Sequence, residues 1–212
     1  MRGILRKNDK AIEWGLGILV LLVPVVAWSI GAQPDDLTLY DVFPPLGLAA
    51  FGLMWVHFVM GALRRYAGVE STDQDIFKTM SMGLVLALIL LHPGLFWLAL
   101  YLDGFGLPPQ SYMEAYPTQL GFLALGTIGL VIFLAYELKR FFGGRKWWKY
   151  IEWIQAVGMA AIFVHAIGLG NELAIDWVLL VWIFYGLTLG LAVAYSRLIY
   201  NGKEDNHAIK QN

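Results

Sequence analysis

The chain has 212 residues, 58% of them hydrophobic and 15% aromatic, with a formal net charge of −1, no cysteine and a mean hydropathy of +0.61. The lack of cysteine excludes disulfides, zinc–thiolate and iron–sulfur centres and covalently attached c-type haem. No basic stripe of the kind a nucleic-acid partner requires is present, and the apolar balance makes membrane lipid the expected surroundings.

Six apolar stretches, each near the length a bilayer core demands, divide the sequence: 14–31, 43–63, 79–102, 118–136, 148–169 and 176–196. They predict an all-α membrane protein, a six-helix transmembrane bundle over 14–200. A basic stub at 1–13 precedes it and a polar tail at 201–212 follows, both cytoplasmic. The first stretch is too long for a cleavable signal peptide and lacks a small-residue cleavage site; Pro24 should kink it. The second begins after Pro44-Pro45, contains His57 and ends on the interfacial run Arg64-Arg65-Tyr66. After the polar loop 67–78, with Ser71 or Thr72 as a helix cap, the third stretch carries His92-Pro93-Gly94. Pro93 removes one backbone bond and loosens the turn around His92.

The segment with Pro108-Pro109, Tyr112 and Tyr116 reads as an aromatic belt lying on the bilayer. Gly121, Gly126 and Gly129 in the fourth stretch allow close helix approach. The loop 141–148, FFGGRKWW, leads to the fifth stretch with His165. Connectors this short leave no room for a soluble nucleotide- or flavin-binding domain.

Charge orients the bundle. The connectors after spans one, three and five hold Asp35, Asp36, Asp41, Asp103, Glu114, Glu172 and Asp176 and no Lys or Arg. All fifteen Lys and Arg fall on the other side, from Arg2, Arg6, Lys7 and Lys10 through Arg64, Arg65 and Lys78 to Lys139–Lys149, Arg197, Lys203 and Lys210. Basic loops stay inside, so both termini are expected in the cytoplasm.

Of the four histidines, His207 lies in the polar tail, whereas His57, His92 and His165 fall within spans two, three and five. Ionisable groups at membrane depth are rare and usually face the bundle interior. Spans three and five run in the same direction, and His92 and His165 come within about 6 Å of each other in depth. Two imidazoles so placed suit axial ligation of one b-type haem, making them the candidate metal ligands. On the His165 face, Ala161 and Gly158 are small enough for a porphyrin to approach the backbone. The competing reading is two core histidines bonded to nearby carbonyls. For His57 two readings also stand: a functional one, as a contact to the cofactor edge, a proton carrier or a replacement for one axial ligand, and a bond to a neighbouring helix. Glu152 reads first as an interfacial acid near Lys149 or Arg145.

These residues resemble the ferric reductase-like transmembrane family, and within it the stand-alone haem subunits of the periplasmic methionine-sulfoxide reductase system. The likeness rests on Gly47, Ala50 and Leu63-Arg64-Arg65-Tyr66, on Leu91-His92, and on Arg145-Lys146, Trp148 and His165. Glu152 stands where the family pattern has another histidine, and Lys78 and Thr79 stand where larger members carry an inner one. The resemblance therefore implies a single haem b held by His92 and His165, with His57 and Gly158 as further cofactor-binding candidates. It implies a bacterial inner-membrane electron-transfer subunit of a transmembrane oxidoreductase. Electrons would come from a separate cytoplasmic flavin reductase or a quinol, with FMN, FAD or quinone as a second carrier, and go to a periplasmic oxidoreductase or another outer acceptor. The alternative is a haem-free bundle acting as transporter, proton pathway or assembly partner.

Overall fold

A computed structural model describes residues 2–31, 37–69, 75–137 and 148–200, and among these the architecture is all helical. The elements are α1 (Arg2–Gly31), α2 (Leu39–Ala67), α3 (Ile76–Leu102), the short α4 (Gln110–Ala115), α5 (Leu120–Glu137) and α6 (Trp148–Leu169). A 3-10 turn (Asn171–Ala174), α7 (Asp176–Ala194) and a terminal π-helical turn (Tyr195–Tyr200) complete it. Four helices are long and apolar enough to cross a membrane: α1, α2, α3 and α7 with the residues just beyond it. Two more, within α5 and α6, are apolar but shorter over the residues described.

Local chemistry explains the ends of α2. Thr38 opens it, its amide and hydroxyl both donating to the Asp41 carboxylate at 2.9 and 2.8 Å. Gly68 closes it in the left-handed conformation (φ 64°), and the amides of Gly68 and Val69 cap the carbonyls of Arg65 and Arg64. The helix starts four residues before the expected boundary. Pro44 and Pro45 thus lie inside it, near its start, where losing two amide donors disturbs fewer turns than it would at the centre.

α2 is the hub. It packs against α1, α3, α6 and α7, and Leu48 through Val56 are buried on every side, as expected of a helix surrounded by other helices. α3 returns antiparallel beside α2, and α6 returns antiparallel beside α5. Gly129 of α5 meets Ile162 of α6, while Gly158 of α6 meets Ile132 of α5, so small residues let these two backbones close together. The outer sides of α1, α3 and α7 expose Leu19, Leu22, Val25, Leu90, Leu180 and Leu187 among others, a lipid-compatible surface.

The bundle has an acidic end, with Asp41, Asp103, Glu114, Glu172 and Asp176, and a basic end where Arg64, Arg65 and Lys78 gather with the start of α1. At the basic end the expected stub is helical and continuous with the first span. Arg6 Nε donates to the Ala67 carbonyl at 2.7 Å, Lys10 pairs with Asp75, and Arg64 makes two bonds to Glu13 at 2.9 and 2.8 Å. Glu13 is 1% exposed. Ionic contacts to α2 and to the start of α3 draw this segment into the bundle. At the acidic end Tyr112 and Tyr116 turn inward onto the Phe96 ring, at 5.8 and 5.5 Å between centroids, and Trp97 donates to the Tyr112 hydroxyl. The segment expected to lie along the bilayer packs over the end of α3.

Candidate functional site

A cavity of about 520 Å³ opens between the α2–α3 and α5–α6 pairs, in the half of the bundle nearer the acidic end, and both His92 and His165 line it. Their ring centroids are 6.4 Å apart and their planes nearly perpendicular, at 87°. The helix pairs bring these two imidazoles together from sequence positions 73 residues apart.

Each ring is held in the same way. The Nδ1–H of His92 donates to the Phe43 carbonyl of α2 at 2.8 Å, and that of His165 donates to the Phe122 carbonyl of α5, also at 2.8 Å. A carbonyl can only accept, which fixes the proton on Nδ1. Neither Nε2 has a hydrogen-bond partner among the described residues, so each ring keeps an unshared lone pair. The Phe43 ring also packs edge-on against His92 at 5.4 Å.

His57 sits elsewhere. The Ser81 hydroxyl lies 2.6 Å from the Phe77 carbonyl and 3.0 Å from His57 Nε2, within hydrogen-bond reach of both. His57 bridges α2 to α3 toward the basic end and does not line the cavity. Gly158 is likewise absent from the cavity wall, its face being occupied by Ile132.

Four glycines line the cavity, Gly47, Gly126, Gly168 and Gly170, and of these Gly47 and Gly126 lie against the histidine rings. A Cβ on Gly47 would lie 2.8 Å from the His92 ring, and one on Gly126 would lie 2.6 Å from the His165 ring. Each glycine follows its histidine's carbonyl partner by four residues. That spacing could have been read from the sequence, but the pairing of each histidine with a helix could not.

The wall is apolar around Met54, Leu130 and Phe133 and polar at the acidic end, where Tyr40, Tyr112, Tyr116, Gln119 and Glu172 contribute. Tyr40 donates to Asp103 at 2.6 Å. One Glu172 oxygen is buried without a partner, and burial pushes this carboxyl above its ordinary range, with the nearby Asp41 charge adding to the effect. Arg64 is engaged by Glu13 and Asp9, and Arg65 donates to Ser196, so neither reaches the cavity. Glu152 lies on α6, but its side chain, together with Arg145 and His207, is outside the described residues.

Fold and site define a helical bundle of membrane type with an interior two-histidine pocket. No family model, no curated protein and no solved structure matches this chain.

Proposed function

We propose that this protein is a b-type cytochrome of the bacterial inner membrane, with six spans and both termini in the cytoplasm. It relays electrons from a cytoplasmic-side donor to an acceptor at the outer, acidic end. The observation that carries this reading is the pair of imidazoles facing one cavity, each with Nδ1 fixed and Nε2 left bare.

The residues suit haem. Two imidazoles that shared one metal ion would stand roughly 6 Å apart, centroid to centroid, provided that each turned its ligating nitrogen toward it. The observed separation is 6.4 Å. Ring packing alone also permits this distance, but it does not account for two matched carbonyl bonds beside a cavity. The volume of about 520 Å³ is within the range of cofactor sites. Tyr112, Tyr116 and Gln119 at the acidic end offer donors to a carboxylate-bearing edge, and the rest of the wall suits an apolar macrocycle.

In this reading His92 and His165 bind the iron, and the Phe43 and Phe122 carbonyls orient them and raise their basicity. Apolar walls exclude water. Bound haem supplies a one-electron carrier. His57, spent on Ser81, supports helix pairing and not a second metal position. The half of the bundle nearer the basic end therefore needs a separate carrier, a flavin or a quinol delivered by a partner, since the described residues include no nucleotide-binding fold.

A reduced-minus-oxidised spectrum of protein purified from haem-replete cells tests this. A b-type spectrum is expected, lost in His92→Ala and in His165→Ala and nearly intact in Glu152→Gln. Colourless wild-type protein would favour the haem-free transporter or assembly role, and equal haem loss in the Glu152 variant would show that the ligands are misassigned.

A further inference from the structure

The two histidine mounts are the same device built twice. Phe43-Pro44-Pro45-Leu46-Gly47 and Phe122-Leu123-Ala124-Leu125-Gly126 share the pattern Phe-x-x-Leu-Gly. In each, the Phe carbonyl accepts from the histidine on the next long helix at 2.8 Å, and the Gly lies against that ring. The physical reason is helical geometry. The carbonyl of residue i points along the axis toward residue i+4, so a side chain at i+4 stands beside the approach to that oxygen. An imidazole from a neighbouring helix reaches it readily only where i+4 has no Cβ. The existing hydrogen bond of the helix leaves one oxygen lone pair for such a visitor.

We propose that α2–α3 and α5–α6 are two equivalent modules and that Gly47 and Gly126 are their positioning residues. They set the depth and rotation of the two rings so that the bare Nε2 atoms address opposite faces of one flat, metal-centred ligand. This deepens the haem reading and rests on it for the ligand. The arrangement disfavours a free metal ion, because no group of three or more His, Cys, Asp or Glu gathers among the described residues, and an unsupported ion takes about four ligands or more. A macrocycle that brings its own equatorial nitrogens needs only the two that the modules supply.

The positioning can be read without the cofactor. Full-length haem-free protein in detergent, labelled with 15N-histidine, should show His92 and His165 protonated at Nδ1. Gly47→Ala should move His92 alone out of this state, and Gly126→Ala should move His165 alone. Gly94→Ala and Gly121→Ala are controls, since no atom lies within 4 Å of a Cβ at either position. Alanine favours helix over glycine, so helical content should hold in all four. In haem-loaded protein, the two site variants should weaken haem binding about 10- to 100-fold, the range for lost support of a ligand, and alter the low-spin ferric resonance. Wild-type rings protonated at Nε2, or site variants matching the controls, overturn the proposal. Wild-type protein with the expected tautomers but no affinity for haem retains the two modules and overturns the haem reading alone.

Discussion

Three histidines at membrane depth have the same chemistry and different assignments, and their neighbours make the difference. His57 meets, through Nε2, a serine hydroxyl that can either donate or accept. His92 and His165 meet carbonyls, which can only accept, and donate from Nδ1. The 87° between the two cavity rings has a measurable consequence. If His92 and His165 held a haem iron in these orientations, its ferric form should give a strongly anisotropic low-spin resonance. A rhombic spectrum would indicate parallel rings. Glu172 makes a second residue-scale prediction. Burial raises its folded pKa above the ordinary 4.5, so below the unfolded value it imposes no penalty, and as pH rises through the raised value its ionisation costs stability. Glu172→Gln should therefore raise the melting temperature at pH 7 and leave it nearly unchanged at pH 4. Equal gains at both values would rule out ionisation as the cause.

Among the elements, the junction of α1, α2 and α3 depends on one cation. Arg64 bonds Glu13 twice, reaches Asp9 at 3.2 Å and stands 3.6 Å from Asp75, beside Lys10. Arg64→Ala leaves Glu13 buried with its two best donors gone, and a broken buried pair costs about 3–5 kcal/mol. Denaturation in mixed micelles should show a loss of that size, with part of it recovered by adding Glu13→Gln. Asp75 adds a pH dependence. Burial would raise its carboxyl, but the Lys10 and Lys78-amide hydrogen bonds and the charges of Lys10 and Arg64 outweigh this and hold it below the ordinary 3.8. A depressed acid stabilises fully above its unfolded value, and the contribution fades as pH falls through the folded one. Asp75→Asn should flatten the loss of stability on acidification below about pH 4.

For the whole molecule, the asymmetry of charge predicts orientation. Reporter fusions at the N-terminus, the C-terminus and within 138–147 should all report the cytoplasm, and one within 104–110 should report the outside. A fusion in 138–147 reporting the outside would place α5 and α6 within one leaflet. The helical segments were legible because a bilayer asks one thing of a spanning sequence, an unbroken apolar run of sufficient length. The observed α3, α6 and α7 begin and end within three residues of the expected boundaries. The start of α2 was not legible, since Pro44 and Pro45 look like a boundary locally and are tolerated only through their place near the helix start.

The sequence by itself determined the apolar segments, the charged ends and the shared depth of His92 and His165, because each depends on spacing along one helix or on composition. Tertiary structure alone decided that the two rings face one cavity, that His57 and Gly158 do not line it, and that Gly47 and Gly126 do. Those outcomes depend on how each helix is rotated about its axis against its neighbours. An apolar helix in an apolar bundle carries almost no amphipathic signal from which that rotation could be read.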